Sequence, residues 1–304
     1  SQLQNVFNEL ASEMYGNPHS FNPSSAAADQ QVTLARDMIL KRFHTTASEY
    51  SVIFTSGATA ALKLVAESFP WTNESNFVYL RHNHNSVLGI RQVAIEHGSH
   101  FTAISEKEIE EEEEHLCNRF TRNCHHNDAA ERKQHNTVMH TDFPDQTYNL
   151  FAFPAEENFA GALYPLEWIN NFTHHDGWLV LLDATIYAST HDLNLSKHQA
   201  DFVVISFHHL FGYPTGLGAL VVRNDATFVM QKTFFGGGTV MASLSESHFC
   251  LLRKKPSFKF EDGTVNFLDI IALKHGFNAI DKITGNLGME GVQEHVQSLT
   301  DYLY

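Results

Sequence analysis

Basic residues are scarce in this 304-residue chain: 20 lysines and arginines face 35 aspartates and glutamates, a formal net charge of −15. Binding a polyanion calls for a lysine- and arginine-rich surface that displaces counterions, so nucleic acid is not an expected partner. Long apolar runs are missing too. None reaches the roughly 20 residues of a membrane span, so no membrane is expected. The three cysteines, Cys117, Cys124 and Cys250, are odd in number and not closely paired. They form no disulfide framework, which suits a reducing compartment, and the expected location is cytoplasmic. No charged-then-apolar leader follows Ser1.

Apolar content, at 43%, is ordinary for a globular protein, and the length suits one large α/β domain, alone or with part of a second. Histidine is abundant, with 20 residues, but spread along the chain rather than clustered as a dedicated metal protein would have it.

The chain is organised around residues 200–222, ADFVVISFHHLFGYPTGLGALVV. Residues 201–206 read as a short apolar strand, 211–216 as a glycine and proline turn, and 217–222 as a second apolar strand. Strands apolar on both faces belong inside a sheet, which places Ser206, His208 and His209 at its rim, where α/β proteins keep their chemistry.

Taken in order, the spacing predicts helices over 1–15 and 26–43, then strand and helix in alternation. Strands are expected at 51–55, 76–80, 100–104, 148–153 and 178–183, helices at 58–68 and 86–97. With the two strands above, this makes seven, mostly parallel, with helices on both faces. The last two are too close for a helical crossover, so one of them is expected to run antiparallel. Residues 106–146 break the pattern. The glutamate run 106–114 and the polar stretch after it read as a solvated or disordered insertion that buries no core. Cys117, Cys124, His125 and His126 within it fit no common zinc spacing, and no metal is expected. A short helix near 225–231, the glycine run 236–238 and helices over 266–280 and 290–304 complete the chain.

Several positions can carry chemistry. Thr55 to Ala60 lies where a strand passes into a helix, so the amides near Gly57, Ala58 and Thr59 either cradle a phosphate or form a plain N-cap turn. His84 follows the second strand and can lie flat on an aromatic ligand or be an incidental surface residue. Asn158 either donates a hydrogen bond to a ligand or caps its loop. Asp183 ends the very apolar WLVLLD, where a buried carboxylate needs a cation to meet it unless it caps the next helix.

SFHHLFGYPTGLGAL closely resembles the stretch that bears the cofactor lysine in class V aminotransferase-like enzymes, above all the aminotransferase-like domain of molybdenum cofactor sulfurases. FTSGATAALKLVAE is similar to the family's phosphate-binding strand, turn and helix, and RHNHNSVLGIR to its stacking-histidine segment. The resemblance implies a fold-type I pyridoxal 5'-phosphate transferase with a seven-stranded sheet, dimeric. It also implies transfer of sulfur from L-cysteine to the molybdenum cofactor of xanthine dehydrogenase and aldehyde oxidase type enzymes. By the same resemblance Gly57, Ala58, Thr59 and Ser206 meet the phosphate, His84 the ring face, Asn158 the phenolic oxygen and Asp183 the ring nitrogen. His208 stands where relatives have tyrosine or histidine. Gly236 to Thr239 and Gly263-Thr264 resemble loops that approach the neighbouring subunit's phosphate.

His209 stands where the family has its Schiff-base lysine. Imidazole cannot form that imine, although it can act as a general base, so coenzyme binding is expected to be non-covalent at best. Two readings follow: a sulfurtransferase, or a catalytically inactive homologue acting as a binding or dimerisation partner. The expected domains are 1–235, a large coenzyme-binding domain with the insertion at 106–146, and 236–304, a linker and the incomplete start of a smaller domain. Both ends read as cut: the family's opening strand lies upstream, and the cysteine that receives the sulfur lies downstream.

Overall fold

The computed structural model describes residues 1–111, 116–122, 146–173 and 175–303. Seven strands form one sheet: β1 (Tyr50–Thr55), β2 (Asn76–Leu80), β3 (His100–Ile104), β4 (Asn149–Pro154), β5 (Trp178–Asp183), β6 (Phe202–Ser206) and β7 (Gly218–Arg223). Their spatial order is β1-β7-β6-β5-β4-β2-β3. Alternation of side chains splits each strand between two cores: Phe151 and Phe153 of β4 face one, Leu150 and Ala152 the other. Burial on both faces explains why β2, β4, β5 and β6 are apolar almost throughout.

The helices are α1 (Gln2–Ser12), α2 (Pro23–Arg42), α3 (Ala58–Ser68), α4 (Asn85–Leu88), α5 (Ile90–Glu96), α6 (Glu106–Glu111) and α7 (Leu116–Arg122). They continue with α8 (Trp168–Thr173), α9 (Tyr187–Thr190), α10 (Phe207–Phe211), α11 (Asn224–Val229), α12 (Pro256–Phe260), α13 (Phe267–Ile283) and α14 (Gly288–Leu303). α2 starts at an Asn22 cap, whose side chain accepts from Ser25 N, with Pro23 in the first turn. α2, α8 and α13 cover one face of the sheet, α3 and α5 the other.

β7 is antiparallel to both of its neighbours, as the short β6–β7 connection requires. Every other strand therefore ends at the same edge, which collects Thr55, Leu80, Ile104, Pro154, Asp183 and Ser206. The register pairs Gly218 with Thr55 on one side and Ser206 on the other. The outward amide of Phe54 on the edge strand β1 donates to Glu261 Oε1 at 2.7 Å, and Arg36 holds that carboxylate with two bonds of 2.7 and 2.8 Å. This covers an edge that would otherwise invite pairing.

The structure corrects the sequence reading in four places. The helix expected over 86–97 is interrupted at Gly89, glycine being a poor helix former. His208 and His209 stand on the one-turn helix α10 rather than in a loop. A second, two-stranded sheet, β8 (Val240–Ser243) with β9 (Cys250–Leu252), was not foreseen, because its mostly exposed residues show no core pattern. The insertion does bury core: Ile109, Leu116, Cys117 and Phe120 pack into the cluster under α2 and α13. Its remaining part, with Cys124, His125 and His126, lies outside the described residues. Ile270, Leu273, Phe277 and Ile280 of α13 join the same cluster. Among the described residues no helix is long and apolar enough to cross a membrane.

Candidate active site at the carboxyl edge of the sheet

Asp183 closes β5 with its side chain almost wholly buried. Burial pushes its carboxyl up; the Thr185 amide, which donates to Oδ1 at 3.1 Å, and the nearby His84 and His209 imidazoles pull it back. The Thr185 hydroxyl, also buried beside it, acts in the same direction as the amide. A carboxylate in such surroundings lacks a full countercharge and fits a cationic centre on a ligand.

His84 caps α4: its Nδ1 accepts from Ser86 N at 3.1 Å, which leaves the ring proton of the neutral form on Nε2. Ser86 Oγ in turn bonds Thr59 Oγ1 at 2.9 Å, tying the loop after β2 to the first turn of α3. α3 starts at Gly57, φ +91°, with no side-chain cap, so the first-turn amides stay available for an anion. Ser206 Oγ lies 2.8 Å from His208 Nδ1, and the His208 and His209 rings are 4.1 Å apart. Burial, the His208 imidazole and the His84 imidazole lower the His209 pKa, while Asp183 acts in the opposite direction.

These contacts form a circuit. Thr59 joins Ser86, Ser86 joins His84, and His84 and His209 face Asp183; His209 adjoins His208, His208 bonds Ser206, and Gly218 lies between Ser206 and Thr55. A Cβ on Gly218 would come within 2.7 Å of the Gly57 carbonyl carbon and 2.8 Å of Ile205 O, so only glycine lets the turn before α3 close against β7. Sequence reasoning missed Ser86, Thr185 and Gly218. Of these, Gly218 had a signal in the second glycine of PTGLGAL.

Two expected site residues lie apart from this circuit. Asn158 is exposed in the turn beyond β4, and no hydrogen bond among the described residues ties it to the circuit. Thr239 is buried, and its hydroxyl accepts from Gly236 N at 3.1 Å and donates to Gly236 O at 2.8 Å, closing its own turn. Among the described residues no group of three or more histidines, cysteines or acids could hold a metal ion.

The lysines nearest the motif in sequence do not join the circuit. Lys232 pairs with Asp262 at 2.7 Å, and Lys197 is exposed in the turn after Asn194. The circuit thus offers a carboxylate for a cation, free amides and hydroxyls for an anion, and imidazoles between them.

This fold and this edge define the class. The aminotransferase class-V profile matches residues 2–123 and 113–304, and the chain belongs to that family. It is 42% identical over its whole length to human molybdenum cofactor sulfurase and 43% to that of Solanum lycopersicum, covering 33% and 38% of them. The chain therefore spans about a third of the length of these curated relatives. Apo cysteine desulfurase from Thermococcus onnurineus NA1 shares the fold, with a TM-score of 0.72 at 20% identity over 93% of this chain and 64% of that one. CsdA of Escherichia coli, a cysteine desulfurase, gives 0.70 at 17% over 94% and 66%. A mutant of C-DES with glycine covalently linked to its PLP cofactor gives 0.72 at 15% over 99% and 71%.

Proposed function

We propose that this chain is the coenzyme-holding part of a molybdenum cofactor sulfurase, taking sulfur from L-cysteine for the molybdenum cofactor with pyridoxal 5'-phosphate as coenzyme. The observation that carries this reading is Asp183, buried at the end of β5 and faced by two imidazoles. When bound, the coenzyme supplies an aldehyde for the substrate amine and an electron sink for the bonds at its α-carbon. Asp183 would hold the proton on the ring nitrogen, and His84 would lie against the ring face. The first-turn amides of α3, Thr59 and Ser206 would take the phosphate. His209, its proton affinity lowered, would accept and return protons near neutral pH.

Neither described cysteine suits the sulfur-receiving role. Burial pushes the Cys117 thiol up to about 12, so it stays protonated, and Cys250 lies on the exposed strand β9. The proposal places the acceptor outside the described residues. A cytoplasmic homodimer completes the proposal, in keeping with the family resemblance of the loops 236–239 and 263–264.

His209 favours a second reading, in which the domain binds coenzyme without turning it over and acts as a partner for another subunit. One titration tests both. Pyridoxal phosphate added to the protein should bind with a change in its absorbance, and Asp183→Asn should weaken binding at least tenfold. Borohydride should fix nothing to the unaltered chain, whereas His209→Lys should become covalently labelled. Equal binding by Asp183→Asn would overturn the coenzyme reading. Turnover of L-cysteine by the unaltered full-length protein would remove the binding-only reading.

A further inference from the structure

Two segments leave the sheet beside Asp183, one from β4 and one from β5. They are joined at once, because Ala155 N donates to Asp183 O at 2.9 Å. The β5 segment then passes Thr185, whose amide and hydroxyl both favour the charged form of Asp183, and enters α9. α9 is a single turn, and its cap residue Ile186 supplies no side-chain bond. One turn fixes several backbone dihedrals for very few hydrogen bonds, so it needs support from outside to hold its place.

That support comes from Glu156, the residue after Ala155. Its side chain is 14% exposed, and Oε2 accepts from the Thr190 hydroxyl at 3.0 Å. Thr190 Oγ1 also lies 2.8 Å from His191 Nδ1. The hydroxyl has one proton and a carboxylate only accepts, so that proton goes to Glu156 and the imidazole donates through Nδ1–H. A directed chain results, from His191 through Thr190 to Glu156. Burial lowers the His191 pKa while Glu156, 3.7 Å away, acts against it, and the ring stacks on Tyr187 with centres 4.6 Å apart. Glu156 is itself fixed by a backbone bridge to Leu163. Among the described residues, the other side-chain hydrogen bonds of α9 stay within 186–191.

We propose that Glu156, Thr190 and His191 are positioning residues: their relay clamps together the segments leaving β4 and β5 and so keeps Thr185 against Asp183. The titratable groups that face Asp183 are His84, from the cap of α4, and His209, from α10. Neither stands on the clamped segments, so loosening the clamp acts on Asp183 through Thr185. The lost bonds are ones that hold the carboxyl charged, and without them it keeps its proton to higher pH. That this charge then serves a cationic ring rests on the coenzyme reading above.

The test is carbon-13 NMR of the coenzyme-free full chain labelled at its aspartate carboxyls, with Asp183→Asn identifying the Asp183 signal. Glu156→Ala and Thr190→Val cut the relay from opposite ends, and each should move the Asp183 titration to higher pH. Glu156→Gln still accepts the Thr190 proton and should restore it. Pyridoxal phosphate affinity, read by absorbance, should follow, falling about tenfold in the cut variants on the acid side of neutrality. A merely structural tie would lower the melting temperature of both cut variants and leave the Asp183 titration in place, which would overturn the proposal. So would Glu156→Gln behaving like Glu156→Ala. Because the carboxyl is read without coenzyme, a shifted Asp183 in a chain that binds no pyridoxal phosphate would uphold the clamp and sink only the coenzyme reading.

Discussion

Gly218 faces demands from both neighbours, pairing with Thr55 and with Ser206 while the Gly57 turn presses on it from above. Adding one methyl there has no relaxed solution, because the atoms it meets are backbone. Gly218→Ala is expected to cost about 1–3 kcal/mol of stability, typical of an overpacked core. It should also push the first turn of α3 away from Ser206 and weaken pyridoxal phosphate binding about tenfold, as read by absorbance titration. An unchanged affinity would mean that the turn and Ser206 act separately. At this scale the site was only partly legible. Asp183 ends a strand, and His84 and Thr59 follow shortly after one, where an apolar run gives way to polar residues. Ser86 and Thr185 gave no such sign, since their roles depend on which loops meet in space.

The central strands β2, β4, β5, β6 and β7 were legible because burial on both faces writes them as nearly unbroken apolar runs. The pair α6 and α7 was not, because Ile109, Leu116 and Phe120 are diluted among glutamates and polar residues, and composition hides a narrow buried stripe. Phe120 sits 6.4 Å from Trp178 at the start of β5. Phe120→Ala should therefore lower stability by about 3 kcal/mol in urea unfolding, whereas a solvated helix would lose almost nothing. A second tie joins three strands at the opposite edge: Asp201 accepts from Val180 N at 2.8 Å and pairs with Arg223 at 2.9 Å. Burial raises the Asp201 carboxyl from 3.8 to about 6 despite the arginine. The folded chain then keeps a proton that the unfolded chain releases, so stability is fully present below about pH 4 and falls as pH rises to 6. The loss attributable to Asp201 is roughly 3 kcal/mol. Melting curves of Asp201→Asn across that range should lack this slope, and identical slopes would reassign it.

At the scale of the molecule, large apolar side chains crowd one unpaired region. Phe234, Phe235, Met241, Leu244, Phe249 and Leu251, on and around the β8–β9 sheet, are all exposed. Isolated exposed apolar residues are ordinary, but a contiguous group of this kind marks a contact surface. Sedimentation is expected to give a dimer, and Phe249→Glu should shift it toward monomer. A monomer throughout would remove the homodimer from the proposed function.

The antiparallel seat of β7 between β1 and β6 also bears on biosynthesis. Of the strands described in the sheet, β1 leaves the ribosome before the others, yet its hydrogen-bonding partner is β7, the one that follows them all. Between Thr55 and Gly218 the nascent chain grows for on the order of ten to thirty seconds at about 5–20 residues per second. Throughout that interval Val52, Ile53 and Phe54 lack their β7 partners Val221, Leu220 and Ala219. They form a natural handle for a chaperone, one that release of β7 from the exit tunnel would retire.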